Sequence, residues 1–153
     1  MKRILVPTDF SKTSIIALEV ACEIAKKAGA EVIALHVVEE ATTGSFRVSG
    51  EVVQRNFEDR LYTMRMLEKA KKELEKLVMN PKFSAIKLDG ELRLGNAYHG
   101  MNAIITEQKV DLVVMGTRGL GRLKEMIIGS NTEKVVRHAK VPVLSVHKKP
   151  SKI

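Results

Sequence analysis

The sequence has no tryptophan and only 4% aromatic residues, so it lacks the flat side chains on which a single-strand nucleic-acid binder stacks bases. Its one cysteine, Cys22, excludes an internal disulfide and agrees with a reducing compartment. No run of eighteen apolar residues occurs, which excludes a membrane-spanning helix. Asp9 interrupts the apolar stretch behind Met1-Lys2-Arg3 too early for a secretory signal, so a cytoplasmic protein is expected. Four histidines, His36, His99, His138 and His147, never fall at i, i+4 spacing, which argues against a metal cluster. No paired-carboxylate or Ser/His/Asp arrangement can be read from spacing, although such triads are spatial. Gly-Lys-(Ser/Thr) is missing as well, so there is no Walker loop.

What is present fits one ordinary globular domain spanning residues 1–153, with 44% hydrophobic and 29% charged residues. The net charge of +8 raises the question of nucleic acid. The cations are dispersed, however: Lys148, Lys149 and Lys152 near the end, and Lys69, Lys71, Lys72 and Lys76 among glutamates. This is the pattern of a solvated surface. Nucleic-acid binding is therefore expected to be nonspecific at most, with Kd about 10⁻⁴ to 10⁻⁶ M at physiological salt.

Apolar runs mark the strands. Ile4 to Val6 ends at Pro7, Val32 to Val38 and Leu112 to Met115 are nearly continuous, and Val141 to Val146 is the last, as expected of parallel strands buried on both faces. Between the first two, Ile15, Leu18, Cys22 and Ala25 recur at helical spacing. Asp9, Ser11 and Thr13 are candidate caps at the helix start, and Gly29 stands at its end. Cys22 on this apolar stripe reads as a packed thiol rather than a reactive one. From Glu39 to Gly50 periodicity disappears, which predicts a loop. A long helix follows, with Val53, Phe57, Leu61, Met64, Leu67, Ala70, Leu74 and Leu77 expected on a core-facing side. Asn80-Pro81 breaks it. A third strand lies within Phe83 to Leu94, and a helix opening at Gly95-Asn96 turns Met101, Ile104 and Ile105 inward. The alternation predicts an α/β fold: a single open five-stranded parallel sheet with helices on both faces.

The densest information lies between Val110 and Lys140. Gly116, Gly119 and Gly121 follow the fourth strand, a short helical turn is expected over Leu123 to Ile128, and Gly129-Ser130 precedes a helix expected over Asn131 to Ala139. Ser130 and Glu133 have capping-box spacing, with Val135 and Val136 behind them. A glycine loop that joins a strand to a helix N-terminus gathers free N–H groups and the positive end of the helix dipole, which suits an anion.

Gly116-x-x-Gly119, nine residues, then Gly129-Ser130 resembles the G-2x-G-9x-G-(S/T) motif of the ATP-binding branch of the universal stress protein family. The opening KRILVPTDFSKTS, ALHVVEE around His36 and the closing AKVPVLSVHKK resemble that family too. The resemblance implies a Rossmann-like sheet of strand order 3-2-1-4-5 with its site where the order reverses. It implies contacts to an adenine nucleotide from Pro7, Thr8, Asp9, Val37, Met115, Gly116, Arg118, Gly119, Gly129, Ser130, Asn131 and Thr132. In the family, the residue matching Val37 pairs with adenine through its backbone, the aspartate contacts the nucleoside, and the glycine loop holds ribose and phosphates. The implied cofactor is ATP, with or without Mg²⁺, held as a regulatory ligand rather than turned over. A homodimer through Val141 to Val146 is implied as well, since Pro142 suits an edge strand. The alternatives are a slow ATPase in which Asp9 positions Mg²⁺ and water, which a steady-state phosphate-release assay separates, and a structural dimer without nucleotide.

Overall fold

The computed structural model describes residues 1–39, 57–117 and 130–147, with backbone alone for Ser130 and Asn131. The chain runs β1 (Arg3–Pro7), α1 (Lys12–Ala28), β2 (Glu31–Val38), α2 (Phe57–Val78), a 3₁₀ turn at Pro81–Phe83, β3 (Leu88–Leu94), α3 (Ala97–Glu107), β4 (Leu112–Gly116), α4 (Ser130–His138) and β5 (Val143–Val146). Among these residues five strands form one sheet in the order β3-β2-β1-β4-β5, all pairs parallel. The loop expected beyond Glu39 and the helical turn at residues 123–128 lie outside the described residues.

Alternation along each strand sends neighbouring residues to opposite faces. Ile4, Val6, Val32, Ala34 and Val114 join Ala17, Leu18, Ala21, Cys22 and Ala25 of α1 on one side. Leu5, Ile33, Leu35, Val113 and Met115 join Met101, Ile104 and Ile105 of α3 and Val135 of α4 on the other. The buried stripe of α1 is Ser14, Ala17, Leu18, Ala21, Cys22 and Ala25, and Ile15 sits at its margin. Three alanines let the helix lie close to β1 and β4. Burial pushes the Cys22 thiol up to about 11, which keeps it protonated and inert.

Helix ends follow side-chain chemistry. Ser11 is the N-cap of α1, its hydroxyl accepting from Ser14 N–H at 3.2 Å, while Asp9 Oδ1 accepts from Ser11 N–H at 2.9 Å in the turn ahead. Gly29 closes the helix at φ 67°, a conformation glycine adopts without cost. Asn96 caps α3 by accepting from His99 N–H at 3.1 Å. In α4, Glu133 pairs with Arg137 at 2.9 Å, one helical turn on.

The expectation for α2 needs correction. Only Ala70 and Leu74 of this helix are buried, while Phe57 is 73% and Met64 57% exposed. Length is the reason. A helix of 22 residues spans about 33 Å at ~1.5 Å per residue, whereas a strand of 7 residues spans about 23 Å at ~3.3 Å per residue. Leu74 and Val78 are seated over Gly90 of β3, where an added Cβ would lie 3.0 Å from Leu74 Cγ. The buried residues Ala70 and Leu74 thus lie in the half of α2 that packs at Gly90, and Phe57 and Met64 lie in the exposed half. Val53, expected on the same face, lies outside the described residues.

The last strand is shorter than expected, since Val141 and Pro142 precede β5. Pro142 still joins the ladder through its carbonyl, which accepts from Val113 N–H at 3.0 Å. It needs no N–H there.

Candidate functional site

Strand order reverses at β1, where β2 lies on one side and β4 on the other. The loops that leave their carboxyl ends diverge and leave a crevice. Pro7 deepens it. The β1–β2 ladder continues to Pro7↔Leu35, whereas the β1–β4 register stops at Leu5↔Val113. Thr8 N–H donates to Leu35 C=O at 2.8 Å, so by strand alternation the peptide nitrogen of Pro7 faces β4, and proline has no hydrogen to offer there. The β1–β4 ladder therefore has no donor with which to continue at Pro7.

Val37 lies one strand over. Because the Leu35 carbonyl faces β1, the N–H and C=O of Val37 also turn that way, two residues beyond the end of the β1 ladder at Pro7↔Leu35. Its peptide groups thus open onto the same crevice. Its side chain points to the opposite need, packing toward α3, where Gly100 leaves it room: a Cβ on Gly100 would sit 2.9 Å from Val37 Cγ2.

Thr8 is a structural knot. It is 6% exposed, its hydroxyl meets Ser14 Oγ at 2.9 Å and accepts from Phe10 N–H at 3.0 Å, and its carbonyl accepts from His36 Nδ1 at 2.7 Å. Asp9 therefore sits on a loop braced on both sides, with Oδ1 turned back to accept from Ser11 N–H. Phe10 adopts φ 65°, a left-handed conformation that costs a non-glycine residue about 1–2 kcal/mol, and its ring lies 4.6 Å from that of His36.

On the β4 side, Gly116 touches α1 directly. A Cβ there would lie 2.8 Å from Thr13 Cγ2 and 3.1 Å from the Thr13 carbonyl carbon, so the first glycine of the motif is required by packing. Thr132, in the first turn of α4, donates from its hydroxyl to Gly116 C=O at 3.0 Å. That bond draws the α4 N-terminus to the end of β4, and α1 begins against the same glycine. Met115 is 5% exposed with its side chain in the α3–α4 core, so it can offer only backbone to a ligand.

Of the expected site residues, Pro7, Thr8, Asp9, Val37, Met115, Gly116 and Thr132 thus gather at the carboxyl edge of β1, β2 and β4, together with the backbone at Ser130 and Asn131 that begins α4. Thr8, Met115 and Thr132 spend their side chains on structure. Arg118, Gly119 and Gly129 lie outside the described residues. Sequence reasoning did not place His36, Phe10 or Thr13 at the site. His36 alone left a signal, a polar residue inside an otherwise apolar strand.

An open parallel sheet with helix N-termini gathered at its reversal point defines a doubly wound α/β domain, the class that takes ligands outside its strand ends. The model of the universal stress protein family matches residues 1–147, and the chain belongs to that family. Universal stress protein MJ0577 of Methanocaldococcus jannaschii is 32% identical over 98% of this chain and 97% of its own length. Its solved structure superposes with a TM-score of 0.79, covering 98% of both chains. YxiE of Bacillus subtilis is 34% identical over 94% of this chain and 97% of its own. A universal stress protein of Archaeoglobus fulgidus, solved in complex with dAMP, shares the fold at 20% identity and TM-score 0.59, covering 95% of this chain and 98% of that one.

Proposed function

We propose that this protein is cytoplasmic and binds an adenine nucleotide, ATP in particular, as a regulatory ligand. The observation that carries the reading is the convergence, where β1 parts from β4, of the outward-turned Val37 peptide, the braced Asp9 loop and the α4 N-terminus tied to Gly116. Adenine presents an amino donor beside a ring-nitrogen acceptor, which complements one C=O and one N–H of a strand. Asp9 suits the ribose hydroxyls, and the N–H groups at the start of α4, which opens at Ser130 directly after Gly129 of the glycine motif, suit phosphate. The dAMP held by a protein of the same fold supports an adenylate. The described residues contain no group of three or more side chains able to hold a metal. Mg²⁺ accompanying ATP would be held chiefly by the phosphates and keep most of its water.

Micromolar affinity needs about 8 kcal/mol. Hydrogen bonds to charged phosphate contribute roughly 1.5–3 kcal/mol each, and association consumes at least about 4 kcal/mol, so buried adenine must supply the balance. Calorimetry with ATP tests the site. Gly129→Val, which sets a branched side chain where phosphate approaches, is expected to weaken binding by at least about tenfold in a folded protein, and Ser130→Ala by less. Equal affinity in wild type and Gly129→Val, both folded by circular dichroism, would rule out the site. Release of phosphate at several turnovers per second would replace the regulatory reading with an enzymatic one.

We further propose a homodimer through the last strand. β5 lies at the sheet edge with Leu144 39% exposed, and such an edge leaves unpaired N–H and C=O groups. Light scattering should report a dimer at micromolar concentration and a monomer for Leu144→Asp. A wild-type monomer would remove the proposal.

A further inference from the structure

Resting on the nucleotide reading above, we infer that His36 is a positioning residue for the ligand loop: its Nδ1–H and its ring together hold Thr8 to Phe10 in the shape that presents Asp9. A carbonyl oxygen can only accept, so the 2.7 Å contact between His36 Nδ1 and Thr8 C=O requires the hydrogen on Nδ1. The Nε2 tautomer cannot make this bond. Thr8 is thereby held at every polar group, by His36 and Leu35 from β2 and by Ser14 and Phe10 from the loop and α1.

The strain sits next door. Phe10 is left-handed at φ 65° without being glycine, and such a conformation persists where surrounding contacts over-determine it. Two contacts do so here: the Thr8 hydroxyl accepts from Phe10 N–H at 3.0 Å, and the His36 ring lies 4.6 Å from the Phe10 ring, tilted 34°. Asp9 stands between the two residues that His36 secures, on the loop that reverses direction between Pro7 and the Ser11 cap. Removing the imidazole leaves Thr8 C=O without its donor and Phe10 without its ring support. The loop then relaxes toward ordinary backbone, and Asp9 moves with it.

Two amide variants separate the atoms. Asparagine places its N–H₂ where Nδ1 stood, whereas glutamine places it where Nε2 stood. ATP binding is measured by calorimetry and stability by thermal unfolding for wild type, His36→Asn and His36→Gln. His36→Gln, which loses both donor and ring, is expected to weaken ATP by about tenfold, and His36→Asn, which restores the donor but not the ring beside Phe10, by less, about threefold. A merely structural histidine would lower the unfolding temperature of both variants alike and leave affinity per folded molecule unchanged, which overturns the inference. Nitrogen-15 NMR of the unliganded wild type supplies a readout free of any variant: His36 should carry a hydrogen on Nδ1, and a bare Nδ1 would overturn the assignment. Failure of the wild type itself to bind ATP would instead overturn the nucleotide reading, leaving the NMR result to judge the loop contact alone.

Discussion

Gly116→Val is expected to destabilise the protein by about 2–3 kcal/mol, toward the upper end of what overpacking costs. The first added carbon would already lie 2.8 Å from Thr13 Cγ2, and rotation of the threonine cannot resolve the clash, because the Thr13 carbonyl carbon and oxygen follow at 3.1 and 3.2 Å. Backbone must move. Either the first turn of α1 lifts from the sheet or the end of β4 shifts away, and the second route strains the bond from Thr132 to Gly116 C=O. Urea unfolding followed by circular dichroism should show a lower midpoint at unchanged slope. ATP affinity should fall as well, since α1 and α4 both begin against this residue. An unaltered midpoint would show that the approach of Thr13 is not as close as described.

Leu18→Ala should cost about 2–5 kcal/mol, the range for a fully enclosed leucine whose neighbours relax only in part. Leu18 is 0% exposed, between α1 and the sheet. For a domain of this length the loss corresponds to about 4–20 °C in Tm. Phe57→Ala removes more carbon yet should change stability by less than about 0.5 kcal/mol, because the ring is 73% exposed. Differential scanning calorimetry of the pair decides the matter. A larger effect at Phe57 would mean that the exposed turns of α2 are covered in solution.

That contrast also shows where reading from residues works. Buried parallel strands are apolar on both faces, so Ile4 to Val6, Val32 to Val38 and Leu112 to Met115 declared themselves, and each is a strand in the structure. Met101, Ile104 and Ile105 were legible as the inner face of α3 for a similar reason, since their spacing matches the helical period and all three are buried. Phe57 and Met64 share that periodicity with Leu74. What they lack is burial, because they lie outside the half of α2 that packs at Gly90, and which half packs depends on strands elsewhere in the chain. The site divides in the same manner. Motif spacing marked Gly116, but not that Thr13 would press on it. Asp9, Ser11 and Thr13 were equal candidates for the cap, and the choice of Ser11 followed from the turn that Asp9 itself closes. The bond from His36 to Thr8 joins residues 28 positions apart, a distance at which no local pattern operates.

The position of β1 has a consequence for synthesis on the ribosome. The first strand made is the middle strand of the finished sheet, with β2 on one edge and β4 on the other, and β4 begins at Leu112 while β2 ends at Val38. At about 5–20 residues per second, translation takes roughly 4–15 s to cross that interval. Throughout it, Ile4, Leu5 and Val6 have one neighbour strand in place of two, and their open edge is the apolar template that promotes pairing between nascent chains. Conditions that slow elongation should therefore lower the soluble yield of this protein more than that of one whose central strand is made last.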